Sequence, residues 1–417
     1  METYKYPKSK ELFLRATKSI PGGIYGHLGP SEACMTPIEA YPFYSSKAQG
    51  AYFWDLDGNK FIDYMCAYGP NVLGYNDPDV DKAAKEQLEL GNCVSLPSSK
   101  MVEFAELLVD TVSSADWAFF AKNGGDVTNL AMLTARAATG REIIVKFVGG
   151  YHGVQPWMLN EGYPGVIQPD VKNVITIPFN RPELFAEVIR QHPGNIAGLI
   201  STPYSHPALA PSEMPKEGFW KEIRKLCTDN GIVLIVDDVR CGFRIDTKGS
   251  DHYFGFEADL ICFCKALANG YNVSALCGKD SLKSAVGSVF YTGSYWLSSV
   301  PFAAGVACIN KLREMDGAKV MREKGKKMTD GLVKMAKEKG FDLEVTGMPS
   351  MFFMHINNDH AGLIHQEWVG EMVKRGIFMS NHHNQFINCA LSDEDIQHTW
   401  DVADKAFDVV KKNHPEI

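Results

Sequence analysis

No C-x-x-C pair occurs in the 417 residues, although ten cysteines stand at positions 34, 66, 93, 227, 241, 262, 264, 277, 308 and 389. Zinc and disulfide frameworks need tighter clustering, so these read as reduced, mostly buried thiols in a reducing cytoplasm. No apolar stretch approaches the ~20 residues that span a bilayer; Gly231–Val236 is among the longest. The start, Met1 to Pro7, carries charges and a proline in place of an apolar h-region, so no secretory signal is read. Basic charge is not in excess. Lys+Arg number 42 and Asp+Glu 50, a formal charge of −8, without the footprint of a general nucleic-acid binder. Repeats, low-complexity tracts and obvious linkers are also missing. The composition that remains is globular, at 45% hydrophobic and 22% charged, which excludes disorder of the whole chain. At about 150 residues per domain the length suggests two or three domains.

Between about residues 100 and 290, short apolar runs alternate with segments of helical period. The runs are Trp117–Phe120, Ile143–Phe147, Val174–Pro178, Ile196–Ile200, Ile232–Val236 and Leu260–Cys264. Helical stretches lie between several of them, at Asp126–Thr139, Pro182–Gln191 and Gly218–Asn230. Such runs mark strands buried on both faces, and helices between them imply parallel crossovers. The expected class is α/β, with a large, mostly parallel sheet in a domain spanning 61–315. Residues 1–60 are read as an N-terminal segment contributing to a small domain. Within it, Asp57-Gly58 joins two aromatic runs as a hairpin turn. Residues 316–417 are read as the rest of that small α+β domain, with helices at Gly317–Lys339, His365–Arg375 and Asp393–Lys412.

Four features fall at strand ends. Asp237 follows the apolar run Gly231–Val236, placing a carboxylate at the carboxyl edge of a parallel sheet, where ligands bind. Lys265 follows Leu260–Cys264; desolvation there would lower its pKa and free the amine as a nucleophile. Asn123-Gly124-Gly125-Asp126 joins a strand to a helix, where glycine backbone and the helix N-terminus favour a phosphate. Gly149-Gly150-Tyr151-His152-Gly153 offers an aromatic ring at the same edge. Each has a plain structural alternative: a loop cap, a snorkelling lysine, an ordinary turn, a packing tyrosine. Together they match pyridoxal 5'-phosphate, which needs a phosphate cradle, an aromatic platform, a Schiff-base lysine and a carboxylate for the pyridinium nitrogen.

The same residues carry a family resemblance. Asp55-Leu56-Asp57-Gly58-Asn59-Lys60-Phe61-Ile62-Asp63-Tyr64 is similar to D-x-D-G-x-x-Y-I-D-Y, and Asn123–Asp126 with Ala135–Arg141 to S-G-T-E-A…A-R-A-x-T-G-R. Tyr151-His152-Gly153 matches Y-H-G. Asp237-Asp238-Val239…Gly242-Phe243-Arg244 is similar to D-E-V…G-F-R, and Asp259-Leu260…Lys265…Gly270 to D-L…K-x-x-x-x-G. The chain therefore resembles the class III pyridoxal-phosphate-dependent aminotransferases of fold type I, in the branch of glutamate-1-semialdehyde aminomutase, over roughly residues 10 to 410.

The resemblance implies roles. Lys265 would form the Schiff base and shuttle the proton, and Asp237 would pair with the pyridine nitrogen. Val239 and Tyr151 would take the two ring faces. Gly124 and Gly125, with Asn123 in place of the first hydroxyl residue, would bind the phosphate. A hydroxyl from the neighbouring subunit, Ser294 or else Thr292, would complete it, so a homodimer is expected. The aminomutase N-terminal P-G-G-V-N-S-P-V-R reads Pro21-Gly22-Gly23-Ile24-Tyr25-Gly26-His27-Leu28-Gly29 here, with Gly29 where the carboxylate-reading Arg would stand. Gly cannot supply that bidentate clamp. Tyr68 occupies the tryptophan position of W-G-P. Tyr68, His27 and Arg244 are the candidate substrate contacts, while Arg240 and Arg244 are also read as surface or ion-paired groups. His382-His383 is not read as a metal site, and no metal is expected. The lysines at 324, 326, 327, 334, 337 and 339 are read as one solvated helix face. The function implied is amino transfer between an amine donor and a keto or aldehyde acceptor. The alternatives are an intramolecular 2,1-aminomutase, a racemase or epimerase, and a non-enzymatic binding module. Small-molecule amines and carbonyls are the expected partners, with no nucleic acid and no membrane.

Overall fold

The computed structural model describes residues 2–24, 36–357, 359 and 361–415. The chain forms two compact units. One comprises Met1–Asp77, Ala208–Ser212 and Val320–Ile417; the other comprises Pro78–Pro207 and Glu213–Lys319.

The larger unit is built on a seven-stranded sheet. Its strands, from one edge to the other, are Trp117–Ala121, Ser274–Gly278, Leu260–Phe263, Val233–Asp237, Ile196–Ser201, Ile143–Phe147 and Val174–Ile177. The central strands are buried at every position because helices cover both faces. Strand alternation then sorts the side chains. Ile144, Ile200, Ile235 and Cys262 pack with Val127, Leu130, Ala131 and Ala135 of the helix Gly124–Thr139. Ile143, Val145, Leu199 and Leu234 pack on the other side with Phe185 and Val188 of Pro182–Gln191 and with Phe219 and Ile223 of Phe219–Asn230. Cys262 ends up inside the sheet, while Cys264 lies one residue past the strand.

One strand departs from the parallel expectation. Ser274–Gly278 runs antiparallel to both of its neighbours. A short 3-10 turn, Lys265–Ala268, joins it to Leu260–Phe263. Without a crossover helix, the chain can only turn back. Two reversals cancel, so Trp117–Ala121 again points the same way as the rest. The ends at Ala121, Phe147, Asp237 and Phe263 therefore share one sheet edge.

In the smaller unit, Tyr52–Asp55 and Lys60–Asp63 form the antiparallel hairpin expected from Asp57-Gly58. The helix Gly317–Lys339 has its expected bounds. Its lysines are not all solvated: Lys324 Nζ donates to the carbonyls of Cys389 and Leu391 at 2.7 and 2.6 Å. Residues 208–212 join this unit through hydrogen bonds from Leu209 N–H to the His382 carbonyl and from Ser212 N–H to Thr346 Oγ1. No helix among the described residues is long and apolar enough to cross a membrane.

Candidate active site

The helix Gly124–Thr139 organises the sheet edge. Its first turn leaves N–H groups without intrahelical acceptors, and its dipole favours negative charge there. The Asp126 carboxylate accepts the backbone N–H of Asn123 at 2.8 Å and of Lys122 at 3.2 Å, which fixes the entry of the chain. Gly124 is required by a neighbour: a Cβ there would stand 2.6 Å from Val239 Cγ1. The cradle and the Val239 side chain thus fit together only without a side chain at 124.

The loop after Ile143–Phe147 is locked onto the same helix. Thr128 Oγ1 donates to the His152 carbonyl at 2.5 Å. Gly153 has φ +120°, and a Cβ on it would lie 2.8 Å from Gly125 Cα. Two backbones meet there, which only glycine permits. The lock carries His152 inward, 3% exposed, so that its Nδ1 meets Asp237 Oδ2 at 2.7 Å. An ionised carboxylate has only acceptors, so Nδ1 is the donor. Asp237 Oδ1 accepts the Val239 N–H at 3.1 Å. Tyr151 beside it is 62% exposed, an aromatic ring presented outward from the loop.

Lys265 opens the 3-10 turn with φ +39°, a left-handed conformation that costs a β-carbon residue about 1 kcal/mol or more. Desolvation first, then the positive charge of Arg240, push its amine down to about 7, while Asp237 pulls the other way. Arg244 adds a smaller push in the same downward direction. That guanidinium is completely buried, which overturns its surface reading. Arg240 is also drawn in, donating to the His206 carbonyl at 3.1 Å. Asp238, next to the site carboxylate, faces elsewhere. It accepts the N–H and Oγ–H of Ser250, and burial raises it to about 7.

Thr292 and Ser294 lie exposed on a loop tied to the same helix, since Tyr291 Oη donates to the Asp126 carbonyl at 2.9 Å and accepts from Asn129 Nδ2 at 3.0 Å. Asn123, Gly124, Gly125, Tyr151, Asp237, Val239 and Lys265 are thus brought to one edge of the larger unit, with the Thr292–Ser294 loop pinned to its helix. Tyr68 belongs to the smaller unit, where its ring meets that of His383 edge-on at 5.4 Å. His27 lies outside the described residues. His152 was visible as part of Y-H-G, but its bond to a carboxylate 85 residues away leaves no mark in local sequence. Among the described residues no His, Cys, Asp and Glu cluster could hold a metal ion.

A carboxylate, a partly neutral lysine and a glycine cradle at one parallel-sheet edge define a class of enzyme, and the comparisons agree. The class III aminotransferase family model matches residues 36–406. The chain is 37% identical over 413 residues to an aminopentol aminotransferase of Sphingopyxis macrogoltabida, covering 98% of this chain and 96% of that protein. It is 31% identical over 428 residues to a glutamate-1-semialdehyde 2,1-aminomutase of Methanobrevibacter smithii, covering 97% and 99%. The solved structure of the FumI protein of Sphingopyxis sp. MTA144, in its PLP internal aldimine form, superposes with a TM-score of 0.94 at 36% identity over 98% of both chains. The chain belongs to the class III aminotransferases, pyridoxal-phosphate enzymes of fold type I. The residues present fit that cofactor. The Gly124 cradle has no room for a side chain, Asp237 is buried and oriented by two donors, and Lys265 carries a nucleophilic amine.

Proposed function

We propose that Lys265, Asp237 and the loops around them carry out this enzyme's amino transfer, on an amine recognised without a carboxylate clamp. The observation that carries the reading is Lys265, whose amine sits near 7 at the sheet edge that also holds the buried Asp237–His152 pair. Pyridoxal phosphate, when bound, supplies an electron sink for the bonds of the amine-bearing carbon. Lys265 attacks a carbonyl in its neutral form and afterwards carries a proton at Nζ. Asp237, oriented by the His152 ring and the Val239 N–H, is the group that would face the nitrogen of the heterocycle. Gly124 and Gly125 offer backbone N–H groups to the phosphate, with Asn123 before them. Val239 and Tyr151 supply apolar and aromatic ring contacts.

The substrate reading rests on Gly29, which stands where the aminomutase resemblance calls for an arginine, and on the similarity to the aminopentol aminotransferase. An amino alcohol is the proposed class, with Tyr68 as a substrate contact. We also place the enzyme in the cytoplasm, supported by nine free thiols among the described cysteines. A homodimer is proposed from the resemblance. It is supported by exposed apolar side chains at Leu88, Leu90, Val94, Leu96 and Phe290 of the larger unit. In that dimer Ser294, or else Thr292, serves the neighbouring subunit's phosphate.

The test is the visible spectrum of the purified holoenzyme with a panel of amino alcohols, amino sugars, diamines and amino acids. Loss of the cofactor band with an amino alcohol, and its return on adding a keto acid, supports the reading. Response to carboxylate-bearing donors alone overturns the substrate class. Recovery without any added acceptor assigns the chain to aminomutation or epimerisation instead.

A further inference from the structure

The chain leaves the strand Lys60–Asp63 through a turn of unusual hand. Cys66, Ala67 and Tyr68 have φ of +47°, +54° and +64°, and Gly69 follows at +109°. No other run of four residues with positive φ occurs among the described residues. The conformation disfavours every residue that carries a β-carbon, and cysteine, alanine and tyrosine have no local device that offsets it. Such strain persists only where the surroundings impose it, and it gathers at functional positions.

What imposes it here is a buried carboxylate. Asp63, 4% exposed, accepts the Met65 N–H on Oδ1 at 2.7 Å, and the N–H groups of Cys66 and Ala67 are hydrogen-bonded to the same carboxylate. Successive N–H groups in such a turn form a concave seat for an acceptor, and here the acceptor is the chain's own side chain. Tyr75 Oη donates to Asp63 Oδ2 at 2.5 Å and fixes the second oxygen. The Gly69 N–H closes the turn on the carbonyls of Met65 and Cys66 at 3.2 and 3.0 Å. Ala67 is exposed and Tyr68 half-buried, its ring edge-on to His383, so the anchor is buried while the tyrosine stays partly accessible. All of these residues belong to the smaller unit.

We propose that Asp63 and Tyr75 are positioning residues for the donor amine: they hold residues 66–69 in the left-handed turn and thereby set the direction in which Tyr68 meets the substrate. The inference rests on Tyr68 being the substrate contact proposed above. Without the carboxylate and its tyrosine partner, the three β-carbon residues relax toward right-handed or extended backbone, and the Tyr68 side chain leaves the chain in a different direction.

The experiment measures kcat and KM of the holoenzyme for whichever donor of the amine panel discharges the cofactor band fastest. The variants are Tyr68→Ala, Tyr75→Phe, and Y75F combined with either Y68A or Ala67→Gly. Y68A and Y75F should each raise KM roughly 5- to 50-fold, with kcat within about threefold of the wild type. In the Y68A background Y75F should add nothing to KM, because it acts through Tyr68. Glycine adopts φ +54° without strain, so A67G should bring the KM of Y75F part-way back to the wild-type value. If Y68A raises KM and Y75F does not, the proposal is overturned; a lower melting temperature alone would mark Asp63 and Tyr75 as structural only. An equal rise from Y75F in both backgrounds overturns it as well. If Y68A leaves KM unchanged, the substrate-contact reading itself fails and this proposal falls with it. Should Y75F fail to fold, Asp63→Asn is read by the same criteria.

Discussion

Changing His152 to Ala removes the donor on Asp237 Oδ2 and leaves the carboxylate with the Val239 N–H. Both partners are almost fully buried, at 3% and 4% exposure, so water does not step in to screen or replace the bond. A hydrogen bond to a charged group contributes about 1.5–3 kcal/mol. At ~1.4 kcal/mol per tenfold, the loss corresponds to a roughly 10- to 150-fold fall in kcat. The assay is steady-state amino transfer on the wild type, H152A, Asp237→Asn and the double variant. D237N should cost more than H152A, and adding H152A to D237N should cost almost nothing further, because His152 acts through Asp237. If H152A costs as much in the D237N background as in the wild type, His152 does not work through this carboxylate.

Three further outcomes are expected. Lys265→Ala should abolish turnover, and a fully active variant would remove the lysine from the mechanism. Reconstitution of the apoprotein should speed up with pH and level off above about 8, because the Lys265 amine titrates near 7. A rate still climbing tenfold per unit beyond ~9 would mean an ordinary lysine. Gly153→Ala forces a Cβ to 2.8 Å from Gly125 Cα at φ +120°. It should cost ~1–3 kcal/mol of stability and loosen the cofactor, and an unchanged melting curve would show that the two loops are not locked.

Much of the larger unit was legible because its signals are local. Apolar runs of four to six residues bounded by turn residues became strands within a residue or two. The helix Pro182–Gln191 has the bounds its period implies. Ser274–Gly278 was missed because its direction is set by what precedes it, a 3-10 turn too short for a crossover, and its Ser-Ala-Leu-Cys-Gly composition is a weak strand signal. Of the readings offered for Arg244, substrate contact, ion pair or surface group, burial removes the last; a sequence cannot display the groups that fold around a charge.

The sequence by itself determined the chemistry on offer. It placed a lysine, a carboxylate, a glycine pair and an aromatic each directly after an apolar strand, and strand ends are where side chains leave a buried sheet. Tertiary structure alone decided how those groups act on one another. Two reversals of chain direction bring the cradle to the same edge as Asp237 and Lys265. The contact between two glycine backbones drives His152 onto Asp237. Burial among Arg240 and Arg244 makes an ordinary lysine a nucleophile near neutral pH. Those effects depend on distance and desolvation between residues tens to hundreds of positions apart, which only the folded chain sets.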